Sequence, residues 1–395
     1  MNAEGKSRKE GDRVNKRLLL FLAAFMLLLS TANAALGEAQ WTESFLVISD
    51  THLTEKGSDH AAMMEAVIQA ARGRDAVLLL GDNTNNTHAQ EHALALRWAE
   101  EIETKTGAQV FILPGNHDYS AHLGPEEFRA QYGAYGWDRA FSQDADTASC
   151  AVMTPGGACL LLLDTNQLDV SRFVLPDGGI GAGTLIWLQE VLTALPEGTP
   201  VIACGHHPIL PKERNGRTPG ALALGQVLRA YGVNLYLCGH DHGFATVERD
   251  GLRQITVGQP QAYPGWAGVI EGEGGRFAWH TEGIYGAMSD TFLALRAGAE
   301  ALGRGMARGT LSTTIYASDE GAVAWFTEAF LLFAGGEMTP EDCARLLSDE
   351  NCLKWRQAET RTVVKEWILN LLENCPEDIR QITIPQSQKK SPDRS

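Results

Sequence analysis

Short apolar, β-rich runs recur at residues 45–49, 76–80, 110–113, 159–163, 200–204 and 234–238, and helix-like stretches at 60–72, 88–105, 183–194 and 220–231 separate most of them. Runs without polar alternation, such as Ala76-Val77-Leu78-Leu79-Leu80, have to be buried on both faces. Strands of that kind need helices over their sheet, so the pattern predicts an α/β fold with the strands as core. Collagen-like, coiled-coil and wholly disordered alternatives fall away, because 44% hydrophobic and 21% charged residues are an ordinary globular balance.

Polar clusters follow these runs: Asp50-Thr51-His52, Gly81-Asp82-Asn83, Gly115-Asn116-His117-Asp118, Gly205-His206-His207-Pro208 and Gly239-His240-Asp241-His242. Ligands of open α/β sheets collect outside the carboxyl ends of strands, so these distant clusters are expected to meet at one edge. Imidazole, carboxylate and carboxamide donors together suit Zn, Mn or Fe, whereas thiolates, absent from the clusters, would select softer ions. The candidate ligands are too many for one tetrahedral zinc and about right for two ions sharing one residue, such as Asp82 through its two oxygens. Two ions roughly 3.5–4 Å apart activate a bound water and clamp an in-line displacement at phosphorus, which is phosphoester hydrolysis. His117 is the candidate acid for the departing oxygen, with Asp118 beside it to orient its ring or hold its charge.

In order and type, the five clusters resemble the complete signature of the calcineurin-like metallophosphoesterase superfamily, over about residues 45–248. The resemblance implies a four-layer α/β/β/α sandwich with a dinuclear site at one end. It implies Asp50, His52 and His242 as ligands of the first metal, Asn116, His206 and His240 as ligands of the second, Asp82 as the bridge and His117 as the catalytic histidine. The stretches 81–86, 114–119, 161–166 and 178–187 look most like exported bacterial class III cyclic nucleotide phosphodiesterases, which also carry a helical C-terminal domain. Purple acid phosphatases have a tyrosine three residues after the second cluster's aspartate, where Asn85 stands here. The expected activity is therefore hydrolysis of a small phosphodiester by a metal-activated hydroxide. A phosphomonoesterase or a glycerophosphodiester or nucleotide hydrolase is the alternative, and a non-catalytic envelope binding module would be expected to have a broken ligand set.

Several residues invite a plainer reading. His207 competes with His206 for a ligand role, and the family pattern favours His206, directly after Gly205. Asp241 reads as a turn residue. His88 and His92, at i and i+4, read as one solvated helix face. His60, His122 and His280 read as surface or packing residues. Trp137, Trp187, Tyr263, Trp266, Trp279 and Tyr285 read as core rather than as stacking platforms for a base.

The ends differ from the body. Lys6, Arg8, Lys9, Arg13, Lys16 and Arg17 precede an apolar run at 18–29 and the small residues of Ala32-Asn33-Ala34, as in a signal peptide cleaved after Ala34. The alternative, an uncleaved anchor, is marginal in length for a span of about 20 residues. The expected product is exported, secreted or attached to the cell envelope, and meets a membrane only through this segment. The whole chain's net charge of −16 excludes a general attraction for polyanions and a nucleic-acid scaffold role. Seven cysteines are too sparse for a disulfide scaffold, although Cys343, Cys352 and Cys375 could provide one bridge. The expected organisation is a signal peptide at 1–34, a catalytic domain at 42–285, a helical domain at 286–385 and a disordered tail at 386–395. Helices are expected at 287–308, 319–334, 340–348 and 355–374, with Thr339 as an N-cap before Pro340. Nothing in the sequence specifies an oligomer.

Overall fold

The computed structural model describes residues 41–168, 173–210, 218–273, 275–286, 289–360 and 362–385. The expected signal segment and the polar tail lie outside the described residues. The chain begins with β1 (Ser44–Ile48), α1 (Ala61–Ala70), β2 (Ala76–Leu80), α2 (Ala89–Thr106), β3 (Gln109–Leu113) and α3 (Pro125–Tyr132). It continues through β4 (Ser142–Gln143), β5 (Cys150–Met153), β6 (Cys159–Leu162), α4 (Ala182–Ala194), β7 (Val201–Cys204), α5 (Ala221–Ala230) and β8 (Leu235–Cys238). Then come β9 (Ala245–Arg249), β10 (Leu252–Thr256), β11 (Trp266–Glu273) and β12 (Arg276–Gly283). Five helices follow, α6 (Asp290–Leu311), α7 (Glu320–Ala334), α8 (Pro340–Ser348), α9 (Glu350–Gln357) and α10 (Val363–Glu373), and β13 (Gln381–Pro385) closes the described chain.

The strands form two sheets, in the orders β13-β12-β11-β1-β2-β3 and β4-β5-β6-β7-β8-β10-β9. β1, β2 and β3 are mutually parallel, as are β6, β7, β8 and β10. Successive side chains of a strand point to opposite faces, and both faces are dry here. Phe45, Val47, Leu78 and Leu80 meet Leu160, Leu162, Ile202 and Cys204 between the sheets. Leu46, Ile48, Val77 and Leu79 face Met63, Val67, Trp98 and Ile102 of α1 and α2. On the far side Leu161, Ala203 and Tyr236 face Leu188, Val191, Leu224 and Leu228 of α4 and α5. This is the expected α/β/β/α sandwich, and it explains the uninterrupted apolar runs.

Helices α6 to α10 pack around a core of their own that includes Trp325, Phe326, Leu346 and Trp355. The Thr339 hydroxyl accepts the Asp342 N–H at 3.1 Å, the cap its position before Pro340 predicts. The single helix expected over 355–374 is instead two, α9 and α10, with α9 started by the Asp349 carboxylate accepting the Asn351 N–H at 2.7 Å. Cys343 and Cys375 form the disulfide, and Cys352 is a buried thiol. Nor is the stretch to 385 wholly helical. The alternating Gln381-Ile382-Thr383-Ile384 pairs with β12 and sends Ile382 and Ile384 into the core between the sheets. No helix among the described residues is long and apolar enough to cross a membrane.

Candidate metal centre

All five polar clusters lie at the carboxyl ends of parallel strands, and backbone bonds join the first to the second and the fourth to the fifth. Asp50 and His52 donate their N–H groups to the carbonyls of Gly81 and Asp82 at 3.0 and 2.9 Å, and Gly239 donates to His206 at 2.9 Å. Asp50, His52, Asp82, His240 and His242 all adopt left-handed backbone, with φ of 56°, 42°, 50°, 72° and 57°. Such residues cost about 1–3 kcal/mol each and persist where surrounding structure fixes them, typically at functional sites. Glycines allow the close approach: a Cβ on Gly115 would overlap the Asp82 carboxylate, and one on Gly239 would overlap Ser49 and Asp50.

Donor atoms of Asp50, His52, Asp82 and His242 lie within 4.8 Å of one another, and a second group joins His206, His207 and His240 at the same spacing. In the first, His52 Nε2 is 3.1 Å from His242 Nε2, and His242 Nε2 is 3.5 Å from Asp50 Oδ1. In the second, His240 Nδ1 is 3.1 Å from Asn116 Oδ1. Asp82 Oδ2 faces both groups, 3.7 Å from His52 Nε2 and 3.3 Å from His206 Nε2.

The competing histidines differ in what their nitrogens do. His206 gives Nδ1–H to the Leu80 carbonyl at 2.9 Å, and its buried Nε2 has no hydrogen-bond partner. His207 has both nitrogens committed, Nε2–H to the Pro176 carbonyl at 3.1 Å and Nδ1 to the Thr165 hydroxyl at 2.8 Å. The electrostatics match a cation site. Burial pulls His52 and His240 down to about 4, which leaves each a lone pair at neutral pH. Burial pushes the Asp50 carboxyl up to about 7, with Asp82 assisting and His206 opposing. Burial opposes ionisation of both Asp82 and His206, yet their mutual attraction prevails: the carboxyl falls below the ordinary range and the imidazole rises to about 9. A cation among these oxygens and nitrogens would give the unpartnered His206 Nε2 and the crowded carboxylates a common partner, so the residues present fit a metal pair.

His117 stands beside this cluster, its ring 4.8 Å from that of His52. The Asp118 carboxylate does not orient it. Asp118 is fully buried and accepts from the N–H groups of Asn83, Thr84 and Gly115, with the Asn83 amide and Thr84 hydroxyl adding two more bonds. The His117 ring is held by the Asn85 carbonyl, 2.8 Å from Nδ1. An oxygen that can only accept requires Nδ1 to carry hydrogen, so Nε2 is the free position.

Other positions also depart from the sequence reading. His92 is buried rather than solvated, with Nδ1 2.7 Å from the Tyr132 hydroxyl, because it shares the inward face of α2 with Ala95, Ala99 and Ile102. His88 lies near the surface, 2.9 Å from Glu55. Gln261, which no motif singles out, donates its amide to the carbonyls of Asp50 and Thr51 at 2.9 and 3.2 Å. The Thr165 hydroxyl accepts the N–H groups of His206 and His207 at 3.3 and 3.1 Å.

Two facing sheets with carboxylates, imidazoles and a carboxamide gathered at their strand ends define a metallophosphoesterase. Residues 44–244 match the family model of the calcineurin-like phosphoesterases, and the chain belongs to that family. It is 31% identical over 188 residues to the tartrate-resistant acid phosphatase type 5 of Rattus norvegicus, covering 43% of this chain and 55% of the relative. It is 28% identical over 214 residues to a cAMP/cGMP dual specificity phosphodiesterase of Mycobacterium tuberculosis, covering 50% of this chain and 61% of the relative. The chain thus spans under two thirds of either relative. Among solved structures it is similar to a phosphopantetheinyl hydrolase of Mycobacterium tuberculosis, with a TM-score of 0.35 and 16% identity over 56% of this chain and 91% of the other.

Proposed function

We propose that this chain is a dinuclear metal-dependent phosphodiesterase acting on cyclic nucleotides or related small phosphodiesters. Asp50, His52 and His242 would hold one ion, Asn116, His206 and His240 the other, and Asp82 both. The observation that carries this reading is Asp82 Oδ2, turned at once toward His206 at 3.3 Å and His52 at 3.7 Å. When bound, such a pair supplies an activated water and charge stabilisation at phosphorus. Nitrogen and oxygen donors without thiolate suit Fe, Mn or Zn in divalent or trivalent form. His117, with Nδ1–H engaged by Asn85, would act as the imidazolium, handing the proton on Nε2 to the departing alkoxide.

Diester preference is supported at Asn85, which stands where purple acid phosphatases carry tyrosine, and by the longer match to the mycobacterial phosphodiesterase than to the rat acid phosphatase. The second reading, a phosphomonoesterase, rests on the 31% identity to that acid phosphatase. Metal-loaded protein assayed with bis(p-nitrophenyl) phosphate and p-nitrophenyl phosphate separates them. Turnover of the diester alone supports the proposal, monoester preference supports the second reading, and bound metal without turnover would make the chain a binding module. A panel of cyclic nucleotides and diesters then identifies the substrate. Export is also proposed, on the basic and apolar order of residues 1–34 and with support from the Cys343–Cys375 bridge, a bond of oxidising compartments.

A further inference from the structure

Glu91 carries a carboxylate at the start of α2 that is 0% exposed and belongs to none of the five clusters. A buried ionised group needs hydrogen bonds to be tolerated, and the origin of these bonds shows what the carboxylate holds. All three come from the loop that leaves Asp82. Oε2 accepts the Asn86 N–H at 2.7 Å and the His88 N–H at 3.3 Å, and Oε1 accepts the Asn86 amide at 3.0 Å. Between the two pinned residues sits Thr87 at φ 58°, a conformation that β-branched residues rarely adopt without outside support. The bonds to Asn86 also fix the peptide preceding it, whose oxygen is the Asn85 carbonyl, 2.8 Å from Nδ1 of His117. On the other side, Asn85 donates its own N–H to Leu53 at 3.1 Å, so the carbonyl is held from both ends.

We propose that Glu91 is a positioning residue for His117: by gripping the Asn85–His88 turn it holds the Asn85 carbonyl against Nδ1–H and so keeps Nε2 as the proton-donating atom. This rests on the reading of His117 as the general acid. Helix capping alone would need only the His88 N–H, yet two of the three bonds go to Asn86, beyond the cap.

The test uses Glu91→Gln, which keeps the side chain's shape but presents an amide where the Asn86 amide arrives. Asn86→Ala is the second variant: an exposed loop residue whose replacement removes one of the three bonds without touching the core. Each is compared with wild type and His117→Ala on bis(p-nitrophenyl) phosphate, a good leaving group, and diphenyl phosphate, a poor one. Metal content and the 15N signals of the His117 ring are measured on the same intact proteins. Glu91→Gln is expected to slow diphenyl phosphate by about 10- to 100-fold and the nitrophenyl diester far less, with metal content unchanged. Asn86→Ala should show the same selectivity, more weakly. Glu91→Gln should add nothing in the His117→Ala background, and the His117 ring should lose its Nδ1–H form. Equal slowing of both esters, additive loss on top of His117→Ala, or an unchanged ring signal would each overturn the proposal. If His117→Ala itself slows both esters equally, the acid reading fails first, and that single variant identifies it as the cause.

Discussion

His206 turns its Nε2 to within 3.3 Å of Oδ2 of Asp82, and the same oxygen lies 3.7 Å from His52 Nε2. One carboxylate therefore faces donors contributed by different sheets, His52 after β1 and His206 after β7. Asp82→Ala should empty both positions, because each loses the oxygen it shares. Metal analysis of purified protein should find well under one ion per chain and no diester turnover. Retention of a full complement would mean the carboxylate is not the junction.

His206 and His207 are adjacent in sequence and opposite in commitment, since only His206 keeps a nitrogen free. His206→Ala is expected to lower metal content, whereas His207→Ala should keep it and loosen the backbone around Thr165 and Pro176. Limited proteolysis and metal analysis of the two variants check this. Metal loss in His207→Ala alone would reverse the assignment.

How much of this was legible in the sequence follows from burial. Strands β1, β2, β3, β6, β7 and β8 are buried nearly throughout and announce themselves as apolar runs. β9 and β10, with Glu248, Arg249 and Arg253, carry charge on a solvent-facing side and present no apolar run. The clusters after the apolar runs give the ligand candidates because motif order survives in one dimension. The partners that hold them do not. Asn85 acts through a backbone carbonyl, Gln261 reaches Asp50 and Thr51 from over two hundred residues away, and Asp118 looked like a partner for His117 only because it is next in sequence.

The thiols provide an independent check of the packing. Burial pushes the Cys150 thiol up to about 12 and raises Cys159 and Cys204 further, which makes them poor nucleophiles. A chromogenic thiol reagent should find no reactive group in the native described chain, five on unfolding, and all seven after reduction. A rapid native reaction would place at least one of them at the surface.

The helical region should respond to acid. The Thr339 hydroxyl, with Arg345, holds the Asp342 carboxyl below its usual range, and Lys354 does the same for Asp319 at the start of α7. A depressed carboxyl pKa contributes stability that is fully present above the unfolded value, about 3.9, and is lost as pH falls through the folded value. The melting temperature followed by tryptophan fluorescence should therefore drop as pH falls below about 4, and less steeply in Asp342→Asn. Thr339→Ala should cost about 0.5–2 kcal/mol by removing the cap. A flat profile for the native chain would show that these bonds do not hold the region.

Two cations sharing Asp82 are what the proposed hydrolysis requires, and the most direct measurement is metal stoichiometry against activity. Protein stripped and then titrated with Mn or Zn should gain hydrolysis of bis(p-nitrophenyl) phosphate in step with a second ion per chain. Full turnover at a single ion, or saturation at one with no second site filling, would contradict it.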